Sequence, residues 1–133
     1  MKFYVCGKYS ERKQIRIIMD ELEKMGHEIT CDWTPHTDMN KAEGYAIDDI
    51  WGVVDADAVI AIMLNKNDYK GLWVEVGAAL GNIIPVYIVG NAGDSCIFVH
   101  HPLVKKFPTL FDLYAYLGNK YRRLKWKLAN FIK

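Results

Sequence analysis

The stretch of sequence that decides the fold lies in the middle of the chain and reads Gly71-Leu72-Trp73-Val74-Glu75-Val76-Gly77-Ala78-Ala79-Leu80-Gly81. This run of apolar and small residues predicts a helix over residues 73–82, and the apolar runs at 57–64 and 85–89 predict strands on either side of it. A strand–loop–helix–strand unit of this kind belongs to a parallel sheet, and such sheets bind ligands at the carboxyl ends of their strands. The sequence therefore places Glu75, at the opening of this helix, where a ligand would bind.

Strands and helices alternate along the rest of the chain. Further strands are predicted over residues 2–7, 28–33 and 105–107, and further helices over 11–25, 40–54 and from about residue 109 onward. In the helix at 40–54, the residues available for the core are Tyr45, Ile47, Ile50, Trp51 and Val54. This alternation predicts an α/β fold in which a doubly wound sheet is covered by helices on both faces.

The composition is that of one ordinary globular domain. The chain has 133 residues, of which 51% are hydrophobic and 25% charged, a balance typical of soluble proteins. Its apolar runs are too short to span a bilayer, and its N-terminus lacks a signal-peptide pattern. Cys6 and Cys31 fall in predicted strands and Cys96 in a loop, without zinc-site spacing, so reduced thiols and a cytoplasmic location are expected.

A net charge of +1 conceals a basic C-terminus. Residues 118–133 contain six bases and no acid, which leaves 11 bases against 16 acids in the remainder. Such a tail is compatible with contact to nucleic acid or a membrane surface, but its apolar residues recur three and four apart. These residues are Tyr114, Leu117, Tyr121, Leu124, Leu128 and Phe131. We therefore expect an amphipathic helix that serves packing or dimer formation, and neither a nucleic-acid nor a membrane partner.

Several segments, taken in order, resemble the nucleoside 2-deoxyribosyltransferase superfamily, including its hydrolase relatives that cleave deoxynucleoside monophosphates. They are Phe3-Tyr4-Val5-Cys6-Gly7, Tyr9-Ser10-Glu11-Arg12, residues 26–30 with Trp33, Asp48-Asp49-Ile50 with residues 55–60, residues 71–81 with Pro85-Val86, and residues 97–102 with Phe107. Each segment is weakly specific alone, but the ordered series is more specific. The resemblance defines a domain over residues 1–117, with 118–133 continuing its last helix.

This resemblance implies a flavodoxin- or Rossmann-like parallel sheet of four to five strands and a glutamate nucleophile, carried over to Glu75. Cleavage of an N-glycosidic bond passes through an oxocarbenium-like state, which a carboxylate beside the anomeric carbon stabilises or captures covalently. A helix N-terminus is expected to keep that carboxylate ionised near neutral pH. The alternative is that Glu75 only complements the helix dipole.

The turn after the first strand is the expected floor of the sugar or phosphate site. Gly7 permits close approach of the backbone, Ser10 offers a hydroxyl group, and Lys8 and Arg12 are available to neutralise a phosphate near the helix N-terminus, although exposed bases at such a position are common. Tyr9 and Trp33 follow adjacent strands and are expected to stack on a base, although ordinary packing also explains them. The turn lacks the glycines of a dinucleotide fingerprint, and neither a cofactor nor a metal site is expected.

One departure from the family pattern concerns the loop after the third strand. Transferases of the family place an aspartate just past that strand, whereas here Asn65 stands near the position and Asp68 follows. Asp68 is a candidate general acid or a solvated loop residue, and this departure weakens the case for base exchange. Two further residues complete the predicted substrate-binding set: Gly71, and His100 from the family's His-Pro segment. His36 lies in a polar loop without a partner that the sequence shows.

The resulting functional hypothesis is cleavage, by hydrolysis or base transfer, of the N-glycosidic bond of a deoxynucleoside or its 5′-monophosphate. The expected partners are that small molecule and a second copy of the chain. Two alternatives stay open: a glycohydrolase acting on NAD or a signalling nucleotide, and a catalytically silent nucleotide-binding module, which the missing aspartate favours.

Overall fold

Five strands form one parallel sheet in the computed structural model of the chain, which describes residues 1–65, 69–90 and 96–131. The strands are β1 (Lys2–Cys6), β2 (Glu28–Ile29), β3 (Ala58–Ile62), β4 (Val86–Val89) and β5 (Val104–Phe107). They lie in the order β2-β1-β3-β4-β5, and every neighbouring pair is parallel. This is the strand order of flavodoxin-like proteins, so the predicted doubly wound fold is confirmed.

Four α-helices connect and cover the strands of the described chain. They are α1 (Arg12–Lys24), α2 (Ala42–Val54), α3 (Gly71–Gly81) and α4 (Leu110–Phe131). Helix α1 buries Ile15, Ile18, Met19 and Leu22, the residues that its periodicity selects. The central strand β3 is buried along its whole length, as a strand covered on both faces must be.

The second strand is shorter than predicted and ends at Ile29. Beyond it the chain turns back over the sheet, and the indole of Trp33 donates a hydrogen bond of 2.6 Å to the carbonyl oxygen of Val5. The sequence had placed Cys31 in a strand, but in the structure it lies in a loop. A short 3₁₀ turn over Ile97–His100 precedes β5.

Helix α2 presents a different face to the sheet than expected. Its buried residues are Gly52 and Val53, whereas the predicted core residues Ile47, Ile50, Trp51 and Val54 are 38–68% exposed. The spacing of Ile47, Ile50, Trp51 and Val54 selects one apolar face, but that face is not the one that packs on the sheet. Close packing at Gly52 decides the contact: a Cβ atom there would lie only 2.7 Å from Cys31 Cβ and 2.9 Å from the Tyr4 ring, so only glycine allows this approach.

The last helix is covered only in its first half. Leu113 and Leu117 are buried, but Trp126 and Leu128 are 68% and 54% exposed, so the rest of the described chain does not cover the end of the predicted stripe. The side chains at 121–125 and 131 lie outside the described part. Within that part, no helix is both long and apolar enough to cross a membrane.

Candidate active site

A cleft of about 560 Å³ opens beside the carboxyl ends of β1 and β3. Its lining residues come from the turn after β1, the loop after β2, helix α2 and the start of α3; they are Gly7, Lys8, Tyr9, Trp33, Asp49, Tyr69, Lys70, Gly71, Leu72 and Glu75. Its volume is within the range of small-molecule sites. The cleft lies at the edge of the sheet where a doubly wound fold binds its ligands.

Glu75 lies in the second turn of α3, because the helix begins at Gly71. Burial of the side chain raises the pKa of Glu75 to about 7; the Tyr4 hydroxyl group opposes this rise, and the Asp49 carboxylate adds to it. Tyr4 Oη faces the carboxylate without reaching hydrogen-bond geometry, and both Tyr4 Oη and Glu75 Oε2 are buried without a hydrogen-bond partner among the described residues. The expectation that a helix N-terminus keeps Glu75 ionised is therefore wrong, because the loss of water outweighs the helix dipole.

Asp49 lines the cleft, although sequence reasoning did not assign it to the site. It extends from α2 into the cleft that contains Glu75, on the same face of the helix as Gly52 and Val53. Burial raises the pKa of Asp49, against the opposing effects of the Cys31 thiol and of His36. The signal available in the sequence was its spacing from Gly52. Residues three apart lie on the same face of a helix, so Asp49 is on the inner face once the packing of Gly52 is known.

Tyr9 and Trp33 both line the cleft, as their positions after neighbouring strands had suggested. Trp33 is 8% exposed and is held by its hydrogen bond to Val5, so its ring is fixed. Tyr9 is 46% exposed, and the Arg12 guanidinium group lies over its ring at 4.6 Å from the centroid. Arg12 thus forms a cation–π contact with Tyr9 and does not itself line the cleft.

Other predicted site residues lie at different distances from the cleft. Gly7 and Gly71 line it, whereas Ser10 is exposed on the 3₁₀ turn Tyr9–Glu11 and does not. Asn65 supports the rim, because its backbone exchanges hydrogen bonds of 3.2–3.3 Å with the Tyr69 hydroxyl group.

His100 is exposed at the end of the turn Ile97–His100 and is not among the lining residues. Asp68 lies outside the described residues. Lys8 lines the cleft, and so does Lys70, which sequence reasoning did not assign to the site. Across residues 1–65, 69–90 and 96–131, no group of three or more His, Cys, Asp or Glu side chains has a metal-binding arrangement.

No protein-family model and no curated protein matches this sequence. Solved structures do match the fold. A 2-deoxyribosyltransferase from the psychrotolerant bacterium Bacillus psychrosaccharolyticus is 16% identical, with a TM-score of 0.66, over 85% of this chain and 90% of that chain. A CMP N-glycosidase, BcmB of Clostridium botulinum, is 14% identical, with a TM-score of 0.62, over 89% of this chain and 99% of that chain. These likenesses establish a shared fold, the one expected from the sequence resemblance.

The raised pKa of Glu75 predicts a pH-dependent stability. Folding lifts this pKa from 4.5 to about 7, so the contribution of Glu75 is fully favourable below pH 4.5 and is lost as the pH rises through 7. Glu75→Gln should therefore unfold within about 1 kcal/mol of the native protein at pH 5 but be more stable by about 3 kcal/mol at pH 8.5. Urea denaturation at both pH values measures this difference.

Glu43→Gln is the matched control, because Glu43 is exposed in the first turn of α2. Its effect should be small at both pH values. An equal effect of Glu75→Gln at pH 5 and pH 8.5 would show that the Glu75 carboxylate is not desolvated.

Proposed function

We propose that this protein cleaves, by hydrolysis or base transfer, the N-glycosidic bond of a deoxynucleoside or its 5′-monophosphate, with Glu75 as the nucleophile. The observation that carries the proposal is the pair of carboxylates, Glu75 and Asp49, in one cleft at the ligand-binding edge of the sheet. The two solved structures that share this fold bear the names of enzymes that act on N-glycosidic bonds.

Glu75 performs the bond exchange at the sugar. Its ionised carboxylate attacks the anomeric carbon as the bond from that carbon to the base nitrogen breaks, and the bonding electrons leave with the base. The product is a glycosyl ester on Glu75, which water or a second base then displaces. Since the carboxylate is largely desolvated in the free protein, its attraction for the developing positive charge is weakly screened.

Asp49 is the second group that handles protons in this scheme. Two carboxylates that interact in one cleft titrate as a pair, and the pair binds a single proton over an intermediate pH range. When Glu75 is ionised, that proton resides on Asp49, from which it passes to the leaving base. Asp49 therefore takes the part that the family pattern had suggested for an aspartate after β3.

The buried carboxylate also favours catalysis over a silent binding module. A desolvated glutamate with a raised pKa destabilises the folded protein at neutral pH, and a module that only binds a nucleotide gains nothing from it. Tyr9 and Trp33 supply aromatic surfaces for the base in the same cleft.

Lys8 and Lys70 favour the monophosphate among the possible substrates. One follows β1 and the other precedes α3, and both line the cleft that contains Glu75. Two ammonium groups at one cleft suit a dianionic phosphate better than a neutral sugar hydroxyl. Ser10, the hydroxyl initially expected to hold the phosphate, lies outside the lining.

We also propose that the chain forms a homodimer through α2. Ile47, Ile50, Trp51 and Val54 form an apolar surface on this helix that is 38–68% exposed, and it would be covered by a second copy.

Activity is expected to require ionised Glu75 and to follow its pKa. Glu75→Gln should abolish release of free base, because the amide cannot capture the anomeric carbon. In the native protein, kcat/KM should fall about tenfold per pH unit on the acid side of the range in which the pair holds one proton, because Glu75 is then protonated, and should fall again on the alkaline side, where Asp49 has lost its proton.

Asp49→Asn should lower kcat and remove the alkaline limb of the profile, because the variant has no carboxyl proton to give to the leaving base or to lose as the pH rises. Chromatography of reactions with deoxynucleosides and their monophosphates between pH 5 and 9 provides the measurement. Full activity of a folded Glu75→Gln protein would remove Glu75 from the mechanism.

Substrate preference tests the phosphate assignment. The double variant Lys8→Ala, Lys70→Ala should raise KM for the monophosphate about tenfold or more while leaving KM for the free nucleoside within about twofold. Lys13→Ala is the control, since Lys13 is an exposed base of α1 outside the cleft lining. If the double variant Ser10→Ala, Arg12→Ala instead lost the preference for the monophosphate over the free nucleoside, the phosphate would bind at the turn after β1.

Light scattering tests the dimer. The native chain should show twice its monomer mass at micromolar concentration, and Trp51→Glu should shift it to the monomer by placing a charge within the apolar surface. Phe111→Glu, at a residue 78% exposed on α4, should leave the dimer intact. A native chain that is monomeric at concentrations well above those of the assay would contradict this assignment.

A further inference from the structure

The loop over residues 31–36 is tightly held on the sheet. Arg16 donates a hydrogen bond of 2.8 Å to Asp32 Oδ2, and Asp32 Oδ1 accepts hydrogen bonds from the backbone N–H and the hydroxyl group of Thr34 at 3.0 and 2.6 Å. Trp33 donates to Val5 at 2.6 Å, and the His36 N–H donates to the carbonyl oxygen of Trp33 at 3.0 Å. A loop with this many internal and external bonds holds its side chains in defined positions.

Both ends of this loop lie near the same atom of Asp49. At one end, the Cys31 thiol donates a hydrogen bond to Asp49 Oδ1 with an Sγ–Oδ1 distance of 3.6 Å. At the other end, the buried His36 Nδ1 lies 4.0 Å from Oδ1, beyond hydrogen-bond distance, so His36 acts on Asp49 through the charge of its protonated ring. The His36 ring is itself held by parallel stacking on Tyr45 of α2, with centroids 4.0 Å apart and an angle of 4° between the planes.

We propose that Cys31 and His36 are positioning residues that hold the Asp49 carboxyl group through Oδ1 and leave Oδ2 to act in the cleft. The catalytic consequence rests on the proposed function, whereas the geometric arrangement does not. Because Oδ1 accepts the thiol hydrogen bond, the proton of neutral Asp49 is carried by Oδ2. The orientation of Asp49 and the position of its proton are then set together.

The chemistry of Cys31 suits a donor and not a nucleophile. Burial and the neighbouring Asp49 carboxylate raise the pKa of the thiol to about 12, so it stays protonated across the neutral range. A protonated thiol retains the hydrogen that the contact with Oδ1 needs.

The charged and titratable groups around Asp49 determine the sign of the expected effect. Cys31 and His36 lower the pKa of Asp49, while burial and Asp48 on the same helix raise it. Glu75 on α3 and Tyr4 on β1 also interact with it from the other side of the cleft. Removing either positioning residue takes away a lowering influence, so the pKa of Asp49 should rise.

The test follows the Asp49 carboxyl carbon by NMR titration of protein labelled with ¹³C at aspartate, with Asp49→Asn to assign the signal. Cys31→Ala and His36→Phe should each raise the apparent pKa of Asp49 by about half a pH unit or more. The phenylalanine keeps the ring that stacks on Tyr45 and removes the nitrogen. Cys31→Ser keeps a donor and should restore the native titration.

Kinetics in parallel distinguish positioning from general support of the fold. Cys31→Ala and His36→Phe should lower kcat about three- to tenfold with KM within about twofold, and should move the alkaline limb of the pH profile upward with the pKa of Asp49. Cys31→Ser should recover most of the rate. A role limited to stability would lower the unfolding midpoint and leave the Asp49 titration and the pH profile unchanged.

The two proposals fail in different ways. If no base is released from any substrate, but the titration of Asp49 shifts in both variants, the proposed function is wrong and the arrangement around Asp49 stands. If base release is normal and neither variant moves the Asp49 titration, Cys31 and His36 do not position Asp49, and this inference is overturned.

Discussion

The Glu75 carboxylate is largely buried beside Tyr4 of the sheet and Asp49 of α2, and the consequences of that burial extend through the whole cleft. In water a glutamate ionises near pH 4.5, but here desolvation raises its pKa to about 7, with Asp49 adding to the effect. The protein therefore holds a charged group in an unfavourable environment at neutral pH. A carboxylate with little solvation interacts strongly with positive charge that develops beside it, which is what cleavage of a glycosidic bond requires.

The position of α2 decides whether Glu75 has a second carboxylate beside it. Gly52 lets this helix approach the sheet so closely that a Cβ atom there would collide with Cys31 and the Tyr4 ring. The same approach brings Asp49, on the inner face of the helix, into the cleft and against the end of the loop after β2. One glycine thus sets the distance between the helix that carries Asp49 and the strand that carries Tyr4.

The loop over residues 31–36 links the first strand, the first helix and the second helix around the cleft. Arg16 of α1 holds Asp32, the indole of Trp33 is bonded to β1, and His36 stacks on Tyr45 of α2. The loop can make these contacts because β2 is short. The chain leaves the sheet after Ile29 and folds back over the carboxyl end of β1. The site is consequently built on side chains whose own positions are determined by hydrogen bonds outside the cleft.

The sequence by itself determined the order of strands and helices, the parallel sheet and the location of Glu75 at its ligand-binding edge. These features follow from the periodicity and length of apolar runs, which report local structure and burial. Tertiary structure alone decided which face of α2 is buried, since the spacing of its large apolar residues favours the face of Ile47, Ile50 and Trp51, whereas the close contact at Gly52 buries another. Tertiary structure also decided three features of the cleft. These are the pairing of Asp49 with Glu75, the positions of Cys31 and His36 next to Asp49, and the shift of the Glu75 pKa. They arise between residues far apart in the chain, and desolvation is a property of the packed environment, so no local pattern contains them.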